Sequence, residues 1–549
     1  MNLRAFLIGL LLIFNVYSAK SQSNKMLVRT LTGVKLMDLT GPVPVIGPQI
    51  AGFGGGSAEE ELNIITDVSN NILFMTACDN SNVINVFTSA YTQMPNGIIR
   101  GNASSLESAI CKIPCTTDQF YFFNFFMDPG TLRDSLFYSI IDMSLNGGLG
   151  AVTQKNVYLG SGFKEGMSIS HQARNGCRWL LVSGYDSSNN FLVKEFKISN
   201  SGVTGPIILD TYPMAATINN PHELELSGDN LKMCVSTFSP SPTDADILLY
   251  DFDLESGTLS ARQTLNVSTQ IVLGVEFSPD ATKIYYQTNT TNISTLGRYD
   301  ITTATNQIID NTRTRYQTDP ELGGNGRIYI GGNYVENFIS EIADPNNPNV
   351  ANIQYTRNAY FVDAAGCRPG LTNTIDGEPP GTSNVPNQID FTYLGLAGCN
   401  VFQFLDSTCL GTWFKWDFGD GQVSFDENPI HQFQNSGNYN VNLRVLICSD
   451  TLSITHTVNA NFTIPTISTS PDATICNGAS TQLTSNGALT YSWAPSSGLS
   501  STTDSIVFAT PATTTIYTVV GTFANGCTAT STITVTPFTA NVSITPVGD

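Results

Sequence analysis

Four histidines in 549 residues, His171, His222, His431 and His456, lie far apart, and the eleven cysteines include no CxxC pair. A zinc site needs Cys and His ligands at close, regular spacing, so this inventory disfavours one. Neither HExxH nor GxSxG occurs. GMSIS at 166–170 lacks the second glycine, and Lys164 in GFKEGM does not complete a phosphate-binding GxxxxGK[ST] loop. No catalytic residue and no cofactor site is read from the chain. Carboxylates remain. A glycosidase pairs two of them across a sugar, but Asp251, Asp253 and Asp300 occupy turn positions where an acid bonds local backbone N–H groups. His171 and the pair His222-Glu223 are polar loop residues that could line a binding mouth, with solvation the plainer use. Asp417 and Asp420 are weak candidates for structural calcium, a hard cation that takes oxygen ligands; with no DxDxDG loop beside them, turn capping is the stronger expectation.

The formal charge of -20 comes from 25 Lys+Arg against 45 Asp+Glu, with only 13% of positions charged. Such a chain has no electrostatic footprint for nucleic acid, and 41% hydrophobic residues are too many for intrinsic disorder. At about 150 residues per domain the length implies several domains. Arg4 followed by the apolar run 5–16 (AFLIGLLLIFNV) reads as a secretory signal peptide over 1–21, with Ala19 and Ser21 as the small residues at the cleavage site. The most apolar later stretch, Phe120 to Met127, is broken by Asn124, so no membrane insertion of the mature chain is expected. Export permits disulfides, and an odd cysteine count leaves one thiol over. Cys476 with Cys527 is the first expected pair and Cys399 with Cys448 the second, which leaves Cys409 unmatched; Cys111 and Cys115 (CKIPC) could close a small loop. For Cys78, Cys177, Cys234 and Cys367 a buried thiol is equally expected.

The elements that must position these residues read as strands. A turn followed by a short apolar strand recurs about every fifty residues between 30 and 375: SNNILFM, TTDQFYFF, RNGCRWLLV, SGDNLKMCV, SPDATKIYY and GGNGRIYI. Each of four units has a further strand running into a turn, as in KEFKISNSG and YDFDLESG, where apolar and polar residues alternate with period two. Units of this size, each a small sheet that must bury both faces, point to a β-propeller over 22–375 with about seven blades. A sandwich with irregular insertions is the alternative. Residues 376–388 (DGEPPGTSNVPNQ) read as a linker. Beyond it, Phe414, Trp416 and Phe418 share one strand face, and Val441, Leu443 and Val445 point opposite to Asn440, Asn442 and Arg444, which gives a sandwich over 389–460. Trp413 faces away from that core and reads as an exposed aromatic able to stack on a sugar or a protein partner, or as half-buried under a neighbouring domain. The Thr/Ser-rich segment 466–537 reads as another sandwich, and 538–549 as the start of a further copy, since VSITPVGD parallels ISTSPDAT.

WDFGDG at 416–421 (Trp416, Asp417, Phe418, Gly419, Asp420, Gly421), followed by NPIHQF and SGNYNVNLRV, resembles a PKD domain. The segment around Cys476, Trp493 and Cys527 resembles the Ig-like repeats of large secreted proteins of Bacteroidota-type bacteria, in which a tryptophan packs beside a cross-sheet disulfide. The first half is similar to the WD40-like propeller of gliding motility-associated surface proteins, through 135–159 and VEFSPDATKIYY. The resemblance implies an all-β, secreted or cell-surface protein, non-enzymatic, with an extracellular glycan or protein ligand and export by type IX secretion machinery. A secreted hydrolase with its active site in the propeller mouth is the rival expectation.

Overall fold

The recurring turn-strand units assemble radially. The computed structural model describes residues 24–539, apart from 31–32, 51–61, 68, 79–82, 102–107, 129–132, 174, 189, 215–222, 238–245, 269–270, 290–292, 315–319, 332–337, 363–366, 372–388, 397–399, 409, 448–449, 461–464 and 525. The expected signal peptide and linker and nearly all of the expected further repeat lie outside the described residues. Two compact units divide the chain, 1–387 and 388–549.

The first unit is a β-propeller of seven blades, each of four antiparallel strands, which in blades 2 to 7 follow chain order from the inside outward. Blade 2 is Leu62–Thr66, Ile72–Cys78, Val83–Thr88 and Gln93–Arg100. Blades 3 and 4 are continuous because one strand, Ala151–Ile169, serves both. Its first part pairs with Arg133–Asp142 as the outer strand of blade 3; after a register shift, Met167 to Ile169 pair with Arg178–Tyr185 as the inner strand of blade 4. Blades 5, 6 and 7 begin with Leu224–Leu226, Ile271–Phe277 and Pro320–Leu322. Blade 1 closes the ring: its inner strand is Cys367–Leu371, paired antiparallel with Lys25–Thr30 from the other end of the unit.

The hydrophobic cores lie between blades, which is why the second strands read as unbroken apolar runs. In Gln119–Asp128, Phe120 and Phe122 pack with Phe74 and Val86 of blade 2, while Tyr121 and Phe123 pack with Leu180 and Val182 of blade 4. Asn124 in the same run is fully buried and donates from Nδ2 to the Arg100 carbonyl at 2.8 Å. Across the ring closure, Tyr329 and Ile339 of blade 7 meet Met26 and Met37 of blade 1. Among the described residues no helix is long and apolar enough to cross a membrane.

The second unit contains two β-sandwiches. In the first, a three-stranded sheet (Phe391–Gly395, Val401–Asp406, Ile430–Gln432) faces a four-stranded one (Val423–Ser424, Gly411–Asp417, Gly437–Ile447, Asp450–Ala460). Phe414, Trp416, Phe418, Val441, Leu443 and Val445 are buried, as the alternation predicts. In the second, Leu483, Trp493, Val507, Tyr517, Val519 and Ile533 form the core. The two tryptophans are held alike: Trp416 Nε1 donates to the Asp426 carbonyl at 3.0 Å and Trp493 Nε1 to the Asp504 carbonyl at 2.8 Å.

The cysteine expectations need correction. Cys476 is an exposed free thiol, whereas Cys527 is disulfide-bonded, so they do not pair with each other. Cys476 lies beside Phe538 at one end of Thr528–Phe538 and Cys527 just precedes the other end, roughly 35 Å away at the usual rise per residue; a disulfide spans less than about 7 Å between Cα atoms. The CKIPC loop is not closed either, since Cys111 is a buried thiol outside any disulfide while Cys115 is disulfide-bonded. Of the cysteines for which the two states are equally expected, Cys234 is a buried thiol and Cys177 is disulfide-bonded. Cys399, Cys409 and Cys448 lie outside the described residues, as do the side chains of Cys78 and Cys367.

Candidate functional site

The WDFGDG turn places its two carboxylates in different roles. Asp417 is exposed, and its Oδ1 accepts from the Gly419 N–H at 3.1 Å. Asp420 Oδ1 accepts from the Gln422 N–H at 3.0 Å, and its Oδ2 meets His431 Nε2 at 2.9 Å. His431 is buried, stacked on Phe418 with ring centroids 3.8 Å apart, and Phe433 meets its edge. Gly419 has φ +76°, and a Cβ there would lie 2.8 Å from the Asn440 carbonyl oxygen, so only glycine fits the turn. Calcium takes six to eight oxygens. Both Asp420 oxygens are already engaged, and no group of three His, Cys, Asp or Glu able to hold a metal occurs among the described residues. Asp417 and Asp420 are turn caps and an anchor for His431; the donor set does not fit calcium.

In the propeller, the acids are used in three ways. The turns between third and fourth strands are capped by Asp253, whose Oδ1 accepts from Glu255 and Ser256 N–H, and by Asp300, whose Oδ1 accepts from Thr302 and Thr303 N–H. Asp251 departs from the turn-cap expectation: it pairs across strands with Lys232 Nζ at 2.8 Å. The inner-strand acids bridge blades. Glu223, buried before the inner strand of blade 5, accepts from the Val275 N–H of blade 6. Glu276 of blade 6 accepts through Oε2 from the Leu322 N–H of blade 7 at 2.8 Å. The sequence offers Glu223 as a loop residue, solvated or lining a mouth; the structure buries it in a seam between blades. The His171 N–H donates to Asn230 Oδ1, linking blades 4 and 5, and His222 lies outside the described residues.

One feature escaped the sequence reading and a second was read only through Trp413. Glu195, on the third strand of blade 4, is buried with its Oε2 lacking a hydrogen-bond partner among the described residues, and burial pushes its carboxyl up to about 7. It lies against Trp179 and the blade 5 turn at Gly257, where a Cβ would come within 2.5 Å of Oε2. No motif marks it; only the neighbouring blade creates its environment. The second is the outer face of the four-stranded sheet after residue 388. Trp413 is 41% exposed and packs on Phe425, which is 58% exposed, with ring centroids 6.0 Å apart. On the same face Lys415 pairs in register with Arg444. Both cations were visible in the sequence, but their adjacency needed the strand register.

Residues 402–464 match the PKD domain family. No curated protein matches the chain. Among solved structures, the chain is similar to a candidate 6-phosphogluconolactonase from Bacteroides uniformis, with 12% identity, a TM-score of 0.43, and 64% of this chain and 99% of that chain covered. It is also similar to TolB from Acinetobacter baumannii, with 12% identity, a TM-score of 0.31, and 64% and 81% covered. For the Dos1 propeller the identity is 10% and the TM-score 0.35, with 64% and 88% covered.

Proposed function

We propose that this chain is an exported, non-enzymatic binding protein of the cell surface or extracellular space, in which the propeller carries the ligand face and the β-sandwiches act as spacers. One observation supports this most directly: Glu223 and Glu276, buried acids on the inner side of blades 5 and 6 that a hydrolase could recruit, are committed to the next blade's backbone at Val275 and Leu322. A carboxylate that accepts backbone N–H groups in a seam is poorly placed to pass protons to a substrate. The strand ends also divide unevenly between the two faces of the ring. One face carries tight, Asp-capped turns. The other carries the connections from second to third strands and from blade to blade, and loops on a closed scaffold are a usual recognition surface. The ligand class is an extracellular glycan or protein. Export rests on the leader-like N-terminus, and type IX secretion on the family resemblance.

The full exported chain, screened against extracellular polysaccharides and proteins for both retention and turnover, tests this reading. Retention without product release is expected; release of product would establish the hydrolase instead. N-terminal sequencing of the exported chain should begin at Gln22.

A further inference from the structure

From residue 388 onward, Lys415 and Arg444 are the only Lys or Arg residues, against ten Asp and Glu. In a unit so short of positive charge, the strand register sets these two directly opposite one another. Like charges opposed across strands repel and destabilise the sheet. Neither side chain has a hydrogen-bond or ion-pair partner among the described residues. Asp417, two residues along the same strand face, spends Oδ1 on the Gly419 N–H. Immediately beside the cation pair stands Trp413, with Phe425 against it, both exposed. On the far side the face continues through Ser453, the register partner of Arg444, to Thr455, and Asn442 donates to both hydroxyls.

We infer that this face of the PKD domain is a second binding site, for an acidic polysaccharide bearing uronate carboxylates. Two uncompensated cations in an acidic unit complement a repeated anion. The flat ring surface accepts the C–H face of a pyranose, and the neighbouring hydroxyl and amide groups suit sugar hydroxyls. An acidic peptide would satisfy the cations alone; the exposed aromatic pair beside them favours the sugar. Each contact on so open a surface is weak, and a polymer gains by engaging many copies at once. The site is separate from the propeller face and assigns binding to a module otherwise serving as a spacer.

The test uses the full exported chain in affinity electrophoresis at low salt, with polygalacturonate, neutral dextran and poly-glutamate as probes. Polygalacturonate should retard the chain and dextran should not. Trp413→Ala and the double variant Lys415→Gln/Arg444→Gln should each weaken retardation by about tenfold or more, with Ile516→Ala, exposed on the other sandwich, as the unaffected control. Thermal unfolding of Trp413→Ala and Ile516→Ala should match the parent, since these side chains lie outside the core, and the double variant should unfold no lower than the parent, since it removes the repulsion between the opposed cations. No retardation by polygalacturonate, equal retardation of parent and Trp413→Ala, or equal retardation by poly-glutamate would each overturn the assignment. Failure here is distinguishable from failure of propeller binding, because the Trp413→Ala and Lys415→Gln/Arg444→Gln chains, put through the screen of polysaccharides and proteins, report the propeller without this site.

Discussion

Glu195 shows how a single carboxyl can report on the seam between two blades. Its folded-state pKa is raised by burial from 4.5 to about 7, so between those values the folded protein holds a proton that the unfolded chain has lost. Its contribution to stability is therefore complete below about pH 4.5, falls as pH rises, and is gone above about pH 7. Glu195→Gln, which cannot ionise, should match the parent in urea unfolding at about pH 3.5 and exceed it by up to about 3 kcal/mol at pH 8; a difference that does not grow with pH would refute the burial argument. Gly419 is a second residue-scale test. At φ +76° and with the Asn440 carbonyl in the way, Gly419→Ala should cost about 2 kcal/mol, read as a lower melting temperature of the unit that contains it.

At the scale of elements, the recurring turns between first and second strands keep one geometry under different sequences. Asn70, Gly176, Asn230, Ala281 and Gly326 all have positive φ, and each N–H donates to the carbonyl three residues earlier. An Asp supplies the cap in several: Asp229 Oδ1 accepts from the Leu231 N–H and Asp280 Oδ1 from the Thr282 N–H. The departures from SPDAT are thus changes of spelling within one turn. Ala281 is the costly spelling, because a Cβ is disfavoured at φ +54°. Ala281→Gly should raise the propeller's unfolding free energy by about 0.5–1 kcal/mol, and Asp280→Ala should lower it by about 1 kcal/mol, both read from urea unfolding. The same reasoning by element fixes the cysteines: two residues at opposite ends of one long strand cannot pair. Maleimide should therefore label Cys476 in the native chain without reductant, and a Cys476–Cys527 linked peptide in a non-reducing digest would contradict the strand register.

For the whole molecule, ring closure is the decisive event. Six turn-strand markers are visible in the sequence, yet there are seven blades. Every marker is the second strand of blades 2 to 7, preceded by a turn from its own first strand. Blade 1 has no such turn, because its first strand, Cys367–Leu371, arrives from the far end of the unit. Deleting 367–371 should leave the inner edge of Lys25–Thr30 unpaired and uncover the core that blade 1 shares with blade 7. The expected result is loss of the propeller's cooperative thermal transition, while that of the unit after residue 388, which has its own cores, persists.

Much of this was legible locally. Period-two alternation placed Trp416, Phe418, Val441 and Leu443 inside a sandwich, and the spacing of turns announced repeated sheets, because strand periodicity and turn chemistry depend on near neighbours in the chain. Register and closure were not legible. The opposition of Lys415 to Arg444, the distance between Cys476 and Cys527, and the burial of Glu195 and Glu223 between blades all depend on which distant strand lies alongside. The sequence by itself determined that this chain folds as serial β modules with a repeating unit. Only the tertiary structure decided which acids bridge neighbouring blades and where two lone cations meet an exposed tryptophan, because contacts between strands far apart in the chain are made by packing and not by local preference.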